Sequence, residues 1–128
     1  DIGVPLREPR DISACVEVLK NHTHLDAAVT VYEAERSPYF NMVEFEDERV
    51  HLVKKGDKPL VRRQDAPAVY SVSPSVFAWR RSSLWVTHLF EGQWGACVVP
   101  RIRAIDIDDE VDFQFAEFLM TRRDQEAE

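Results

Sequence analysis

The sequence has 128 residues, of which 45% are hydrophobic and 30% are charged, and its formal net charge is -7. This length suits one folded domain with one core, and the hydrophobic fraction argues against an intrinsically disordered chain. The negative charge argues against a nucleic-acid-binding surface and against attraction to an anionic membrane, although a local group of basic residues can still bind an anion.

The start of the chain and its two cysteines bear on processing and location. The chain begins at Asp1 and enters the run Ile-Gly-Val-Pro-Leu directly, so we expect the sequence to start inside a domain. No stretch approaches the roughly 18 apolar residues of a membrane span and no signal peptide is visible, so we expect a cytoplasmic protein. Cys15 and Cys97 form no Cys-x-x-Cys pair and no metal-binding spacing with the histidines, which predicts two buried thiols.

The first half of the chain predicts a helix, a buried strand and two short strands. The helix is predicted over 9–21, because Pro9 suits its first turn and one face is apolar. That face consists of residues spaced i, i+3, i+4 and i+7, namely Ile12, Cys15, Val16 and Leu19. Residues 27–32 are an apolar, β-branched run typical of a strand buried on both faces, and shorter strands are expected at 41–45 and 50–53. A helix before a buried strand favours α/β layering.

The second half begins with a polar loop and ends in a helix. Residues 54–67 are basic and contain a glycine and two prolines, which predicts a loop, and loops of this length are often functional. The elements expected next are a strand over 69–79 interrupted at Ser73-Pro74, one helical turn over 80–85, a turn over 91–95, and strands over 96–99 and 102–107. The last helix is predicted over 109–122, with Asp108 as its N-cap. Its expected buried stripe consists of Val111, Phe115, Phe118 and Leu119.

Two aspartates one residue apart are the sharpest candidates for chemistry. Alternate side chains of a strand point the same way, so Asp106 and Asp108 are expected to share one face. Two adjacent carboxylates repel each other, and a divalent cation relieves that repulsion. Carboxylate oxygens on a rigid strand suit Mg²⁺. In the alternative interpretation, Asp108 is only a helix cap and Asp106 is a solvated residue at a sheet edge.

Basic and apolar groups elsewhere are weaker candidates. Arg63 lies in the same loop as Lys54 and Lys55, and its guanidinium could bind the carboxylate or phosphate of a ligand. In the alternative interpretation, all three residues belong to a solvated charged loop. Arg7 follows Pro-Leu at a strand end, where α/β proteins tend to place ligand sites. An apolar group around a turn forms either an interface or part of the core, and it consists of Leu84, Trp85, Leu89, Phe90 and Trp94. The sequence has no Gly-Ser-Gly nucleophile turn, which favours metal-assisted transfer over covalent catalysis.

Four stretches, in the same order, resemble motifs of the acylneuraminate cytidylyltransferase family. They are Pro-Leu-Arg at 5–7 with Asp-Ile at 11–12, Pro-Tyr-Phe-Asn-Met-Val-Glu at 38–44, Arg-Gln-Asp-Ala-Pro at 63–67 with Tyr70, and Ile-Asp-Ile-Asp at 105–108 with Asp112-Phe113 and Ala116-Glu117. Together these stretches extend over nearly the whole chain. The chain therefore resembles the C-terminal portion of such an enzyme.

The resemblance implies a fold, a reaction and partners. The fold would be α/β, a partial Rossmann-like nucleotide-diphospho-sugar transferase fold, with residues 1–128 as the C-terminal portion of one domain. Such enzymes transfer CMP from CTP to an acidic keto-sugar of the sialic, pseudaminic or legionaminic acid type and release pyrophosphate. Mg²⁺ is the implied cofactor, and a homodimer is the implied assembly.

The same resemblance assigns roles to particular residues. Asp106 and Asp108 match the family's metal-binding pair, and Arg63 matches its sugar-site arginine. Phe77 stands where the family often has a tyrosine near the sugar, and Arg7 lies at the pocket side of its strand. The alignment to the family is less specific at the remaining positions. There, Lys54 or Lys55 would supply another sugar contact, and Phe90 with Trp94 would face the dimer partner.

Departures from the family pattern limit these expectations. The Gly-rich basic loop that cradles the triphosphate and reads the cytosine is absent from these residues, so we expect the 128 residues alone to be inactive. The family's Asn-Gly-Ala reads Ser73-Pro74-Ser75 here, which leaves the identity of the sugar open. Two other functions remain open: a non-catalytic sugar-binding or dimerisation module, and a sugar nucleotidyltransferase with another keto-sugar.

Overall fold

Two α-helices, a three-stranded sheet and a two-stranded hairpin are present in the computed structural model, which describes residues 2–56, 62–85 and 90–127. The helices and strands are α1 (Pro9–Asn21), β1 (Ala27–Glu33), β2 (Val43–Glu46), β3 (Arg49–Leu52), β4 (Tyr70–Trp79), β5 (Trp94–Val98) and α2 (Glu110–Ala127). Short 3₁₀ turns span Arg63–Asp65, Arg81–Ser83 and Arg101–Ala104. The expected mixed α/β class is confirmed. No helix among the described residues combines the length and apolar character that crossing a membrane would require.

The chain packs as two compact units. The first lies within Asp1–Tyr32 and Val72–Glu128 and contains both helices and most of the three-stranded sheet. The second is Glu33–Ser71 and contains the hairpin of β2 and β3.

Helix α1 has the bounds that the sequence predicts, but only half of its predicted apolar face is buried. Asp11, Cys15 and Leu19 are buried, whereas Ile12 and Val16 are exposed. The face is displaced by about one residue because the carboxylate of Asp11 is paired with Arg103 inside the protein. The predicted face is confirmed for Cys15 and Leu19 and is wrong for Ile12 and Val16, because an apolar periodicity cannot reveal a buried ion pair.

The sheet of the first unit has the order β4-β1-β5, with β1 and β5 parallel. Residues 27–31 of the central strand are all buried, as predicted. Helix α1 packs closely against β5: a Cβ placed on Gly95 would lie 2.6 Å from Leu25 Cδ1 and 2.7 Å from Val18 Cγ1. The hydrophobic core consists of Cys15, Leu19, Leu25, Ala28 and Val76.

Strand β4 continues through Pro74, where the sequence predicts an interruption. The buried hydroxyl of Thr30 donates to the carbonyl oxygen of Ser73 (3.1 Å) and accepts from the backbone N–H of Val76 (3.0 Å). These bonds satisfy buried backbone groups on either side of the proline, which has no N–H of its own. As β4 is an edge strand of this sheet, proline is tolerated there.

The elements near the C-terminus differ most from the prediction. Residues 101–104 form a 3₁₀ turn after Pro100, and no strand is formed over 102–107. Helix α2 begins at Glu110, and its N-cap is Asp109 rather than Asp108. The expected buried stripe is wrong for Val111, Phe115 and Phe118, which are exposed, whereas Leu119 is half-buried and Ala116 is buried.

The second unit contains the two short strands that the sequence predicts. They pair antiparallel, with Val43 opposite Leu52 and Glu46 opposite Arg49. Asp47 closes the turn with a φ of 55°, a left-handed conformation that aspartate adopts more readily than most residues. Much of the hairpin is exposed, and the ring of Phe45 is 79% accessible.

Candidate functional site

The two aspartates lie on the short extended segment between the 3₁₀ turn and helix α2. Ile105 has extended backbone angles, and the N–H of Ile107 donates to the carbonyl oxygen of Gly3 (2.9 Å). Asp106 is half-buried and Asp108 is exposed. Because the segment is not a paired strand, alternate side chains need not point to the same side as they do in a strand. That the two carboxylates share one face therefore stays a prediction.

The helix-cap interpretation of Asp108 is wrong. The side chain of Asp109 accepts from the N–H groups of Val111 (2.8 Å) and Asp112 (3.0 Å). In return, the side chain of Asp112 accepts from the N–H groups of Asp108 and Asp109, both at 3.2 Å. This reciprocal capping satisfies the first turn of α2 without the carboxylate of Asp108.

The pair Asp106 and Asp108 has the donor chemistry of a magnesium site. No side chain in the described part of the chain donates a hydrogen bond to either carboxylate. Within the same residues, no group of three or more His, Cys, Asp or Glu side chains is assembled that could hold a metal ion. Two carboxylates are the number with which Mg²⁺ is commonly held when substrate phosphates supply further oxygens.

Arg7 and the aspartate segment are tied to the same region of the first unit. The guanidinium of Arg7 donates from Nη1 to the carbonyl oxygen of Ser75 on β4 (2.6 Å). Four residues earlier in the chain, the backbone of Gly3 is bonded to Ile107. The Pro-Leu-Arg motif and the Ile-Asp-Ile-Asp motif, far apart in sequence, are therefore neighbours in this unit.

Phe77 belongs to an aromatic cluster that also contains Trp79, Phe90 and Trp94. The rings of Phe77 and Trp79 are stacked at 5.6 Å between centroids, and Trp94 meets both edge-on. Phe90 contacts Trp94 at 5.0 Å. The predicted apolar group is thus partly packed on itself, while Leu84 and Trp85 are exposed and Leu89 lies outside the described residues.

The other predicted sugar contacts lie in the second unit. Lys54 is exposed, and its ammonium group stands 5.0 Å from the centre of the Tyr39 ring. Lys55 is exposed as well. Arg63 begins a 3₁₀ turn, but its side chain lies outside the described part of the structure.

A cavity of about 400 Å³ in the second unit is lined partly by the Arg-Gln-Asp-Ala-Pro motif. Gln64 and Pro67 come from the motif, and Arg36 and the buried Ser37 come from the segment after β1. Glu33 also lines the cavity, so its walls carry both signs of charge. No pattern in the sequence singled out Arg36.

A buried ion pair, one partner of which precedes the aspartates closely in sequence, was not predicted. Asp11 and Arg103 are paired at 3.1 Å with side chains that are only 3% and 15% exposed. The usable signal was a charged residue inside the helix pattern, which amphipathic reasoning assigns to the solvent face. The pair joins helix α1 to the turn that precedes Asp106.

The cysteines carry no reactive thiolate. Both are free; Cys15 is buried and Cys97 is half-buried. Burial raises the pKa of the Cys15 thiol to about 12 and also raises the pKa of Cys97. A protonated thiol is a poor nucleophile. The prediction of two buried thiols is confirmed for Cys15 and only in part for Cys97.

Two proteins from Campylobacter species are similar in sequence to this chain. The chain is 30% identical over 128 residues to the post-translational flagellin modification protein B of Campylobacter coli. It is 35% identical over 94 residues to the CMP-N,N'-diacetyllegionaminic acid synthase of Campylobacter jejuni. The predicted resemblance to the acylneuraminate cytidylyltransferase family is confirmed.

The chain matches only part of each of those two proteins. The two alignments cover 99% and 73% of this chain, but 53% and 39% of the relatives. The chain thus spans about half the length, or less, of the curated relatives that it matches. No protein-family model matches the sequence.

Proposed function

We propose that the whole protein containing these residues transfers CMP from CTP to an acidic nine-carbon keto-sugar and releases pyrophosphate. The observation that carries the proposal is the 35% identity to a CMP-N,N'-diacetyllegionaminic acid synthase over 94 residues. Both relatives point more broadly to sugar-nucleotide biosynthesis or modification. Legionaminic, pseudaminic and sialic acids are the substrates to test first.

The proposed chemistry is an attack by the anomeric hydroxyl of the sugar on the α-phosphorus of CTP. Asp106 and Asp108 would hold Mg²⁺, which offsets the negative charge that develops on the phosphates. Their side chains are not engaged by donors from the described residues, which leaves their oxygens available for this role. Catalysis of this type depends mainly on positioning and electrostatics, without a covalent enzyme intermediate.

The sugar would be held mainly by cationic groups that face its carboxylate. Arg63 is the first candidate because a guanidinium matches a carboxylate with two parallel hydrogen bonds. Arg7 and one of Lys54 and Lys55 would add further contacts, and Phe77 would pack against the sugar. The cavity lined by Gln64 and Pro67 supports the assignment of Arg63, because residues of the same motif form its wall.

The architecture proposed for the whole protein is the Rossmann-like nucleotide-diphospho-sugar transferase fold, with a homodimer as the assembly. The parallel pair of β1 and β5, joined through intervening chain, is compatible with that fold. The 128 residues alone are expected to lack turnover, because the loop that would bind the triphosphate is not among them.

The reaction is tested by incubating the whole protein with CTP, Mg²⁺ and each of the three acidic sugars. Pyrophosphate release and the mass of the CMP-sugar report turnover, and a panel of other nucleoside triphosphates tests the choice of base. D106N and D108N should each lower kcat by about 100-fold or more, since each removes a charged metal ligand.

The matched control is D109N, which removes one negative charge beside the site and keeps a residue type that caps helices well. It should retain most of the activity. Near-normal turnover by D106N and D108N would contradict the metal role. Sugar binding without turnover by the whole protein would instead indicate a non-catalytic module.

A further inference from the structure

Asp11 and Arg103 form a buried ion pair that fixes two distant parts of the first unit to each other. Nε of Arg103 donates to both carboxylate oxygens of Asp11 at 3.1 Å, and Nη2 lies 3.1 Å from Oδ1. The whole of Asp11 is 2% exposed. Because three contacts join the two groups, the orientation of the guanidinium is defined as well as its distance.

The carboxylate of Asp11 is itself fixed to the start of helix α1. It accepts a hydrogen bond from the backbone N–H of Glu8 at 3.0 Å, as part of a reciprocal cap in which the side chain of Glu8 also takes part. The same oxygen, Oδ2, accepts from Arg103. The carboxylate of Asp11 therefore caps the start of helix α1 and also binds the guanidinium of Arg103.

Arg103 lies three residues before Asp106, immediately ahead of the short segment that carries both candidate metal ligands. It belongs to a 3₁₀ turn whose last residue, Ala104, is buried. Beyond Asp106, Ile107 is held by its hydrogen bond to Gly3, and beyond Asp108 the chain is capped by Asp109. The segment with the two aspartates is short, unpaired as a strand, and held at points on both sides.

The energetics of a buried ion pair suggest that position, not stability, explains this pair. Removing both charges from water costs several kcal/mol, and apolar residues of similar volume often stabilise a protein equally well. Two like-charged ligands repel each other, so their spacing must be imposed by the surrounding structure until a cation binds.

We propose that the Asp11–Arg103 pair positions Asp106 and Asp108 for a divalent cation. The inference rests on the proposed function, because it takes these two aspartates as the metal ligands. Arg103 is a positioning residue: it acts through the backbone of the segment and does not itself bind the metal. The pair would thereby couple the N-terminus of α1 to the geometry of the site.

The test measures Mn²⁺ binding by the whole protein at a fixed CTP concentration, with the electron paramagnetic resonance signal of free Mn²⁺ as the readout and the same CTP solution without protein as the blank. R103Q should weaken Mn²⁺ binding by about tenfold, the lower end of the usual effect of removing a group that orients metal ligands. R103K retains the charge but cannot make the three-point contact, so its affinity should fall between those of the wild type and R103Q. Circular dichroism confirms that each variant is folded at the temperature used.

Two controls separate this proposal from the metal site on which it rests. K20Q removes an exposed ion pair of the same helix, with Glu17 at 2.7 Å, and should leave Mn²⁺ affinity unchanged. The double variant D106N/D108N should abolish the binding. If the wild type does not bind Mn²⁺, or if the double variant binds it equally well, the metal site fails and the positioning role fails with it.

Other outcomes bear on the positioning role alone. If the wild type binds Mn²⁺ through the two aspartates and folded R103Q binds it with the same affinity, the positioning role is wrong while the metal site stands. If R103Q and R103K are both unfolded at every temperature, the pair is a folding determinant and the proposal is also overturned.

Discussion

Asp26 is the residue at which several loops of the first unit meet. Its Oδ1 accepts from the hydroxyl of Ser83, and its Oδ2 accepts from the backbone N–H of Gln93, both at 2.9 Å. Its carbonyl oxygen accepts from the N–H of Arg80 at 2.9 Å. The hydrogen bond from Gln93, followed by that from Ser83, lowers the pKa of the carboxyl group below its usual value.

The lowered pKa of Asp26 predicts a pH dependence of stability. A group whose folded pKa is depressed contributes stability above its unfolded pKa of about 4, and that contribution is lost as pH falls through the folded pKa. The urea midpoint of the wild type should therefore fall more steeply than that of D26N as the pH is lowered below about 5.

The control for this pH dependence is D47N, in the exposed turn of the hairpin. D47N should retain the steep acid limb of the wild type. An acid limb in D26N that is as steep as that of the wild type would show that the two hydrogen bonds do not depend on the charge of Asp26.

Glycine is required at position 92 because of the backbone conformation there and because the position lies close to Asp26. Its φ of 90° disfavours any residue with a side chain, and a Cβ would lie 2.8 Å from Oδ2 of Asp26. We expect G92A to lower the free energy of unfolding by at least about 1 kcal/mol, measured by urea denaturation. Q93A is the matched control, because Gln93 serves the loop through its backbone groups. A midpoint for G92A equal to that of Q93A would contradict this explanation.

At the scale of elements, the sequence predicted helix α1 and the central strand better than the segments near the C-terminus. Apolar periodicity and a proline at the first turn were sufficient for α1, and a continuous apolar run was sufficient for β1. Residues 102–107 were wrongly predicted as a strand because alternating Ile and Asp residues have the period of a strand. Its actual conformation depends on Pro100 and on the pairing of Arg103 with Asp11, which lies 92 residues away.

The N-terminus of α2 gives a test of the corrected cap. D109A removes the acceptor for two backbone N–H groups of the first turn and should destabilise the chain by about 1 kcal/mol. D108A should leave thermal stability nearly unchanged, since the carboxylate of Asp108 receives none of the capping bonds. If D108A were the more destabilising variant, the original prediction of Asp108 as the N-cap would be right after all.

At the scale of the whole molecule, motifs identified the family and the candidate residues but not their surroundings. The order of four motifs predicted the relationship that the two Campylobacter proteins confirm. No motif indicated that Gly3 and Ile107 would be bonded, or that an ion pair would precede the aspartates. These contacts depend on packing between residues far apart in sequence, which a local pattern does not encode.

The candidate residues are divided between the two units. Arg7, Phe77, Asp106 and Asp108 lie in the first unit, and Lys54, Lys55 and Arg63 lie in the second. Each group was found through its own motif, and composition alone did not distinguish a ligand from a solvated charge. The sugar contacts therefore depend more strongly on the family relationship than the aspartate pair does.

The most direct test of the metal site locates Mn²⁺ on the ¹⁵N-labelled whole protein in the presence of CTP, through the paramagnetic broadening of amide signals. Binding at the two aspartates predicts that broadening begins at residues 105–109 and disappears in D106N/D108N. The acidic turn of the hairpin, Glu46 to Glu48, provides an internal comparison with the same type of oxygen donor. Broadening that begins in that turn, or that persists at 105–109 in the double variant, would show that Asp106 and Asp108 do not hold the metal.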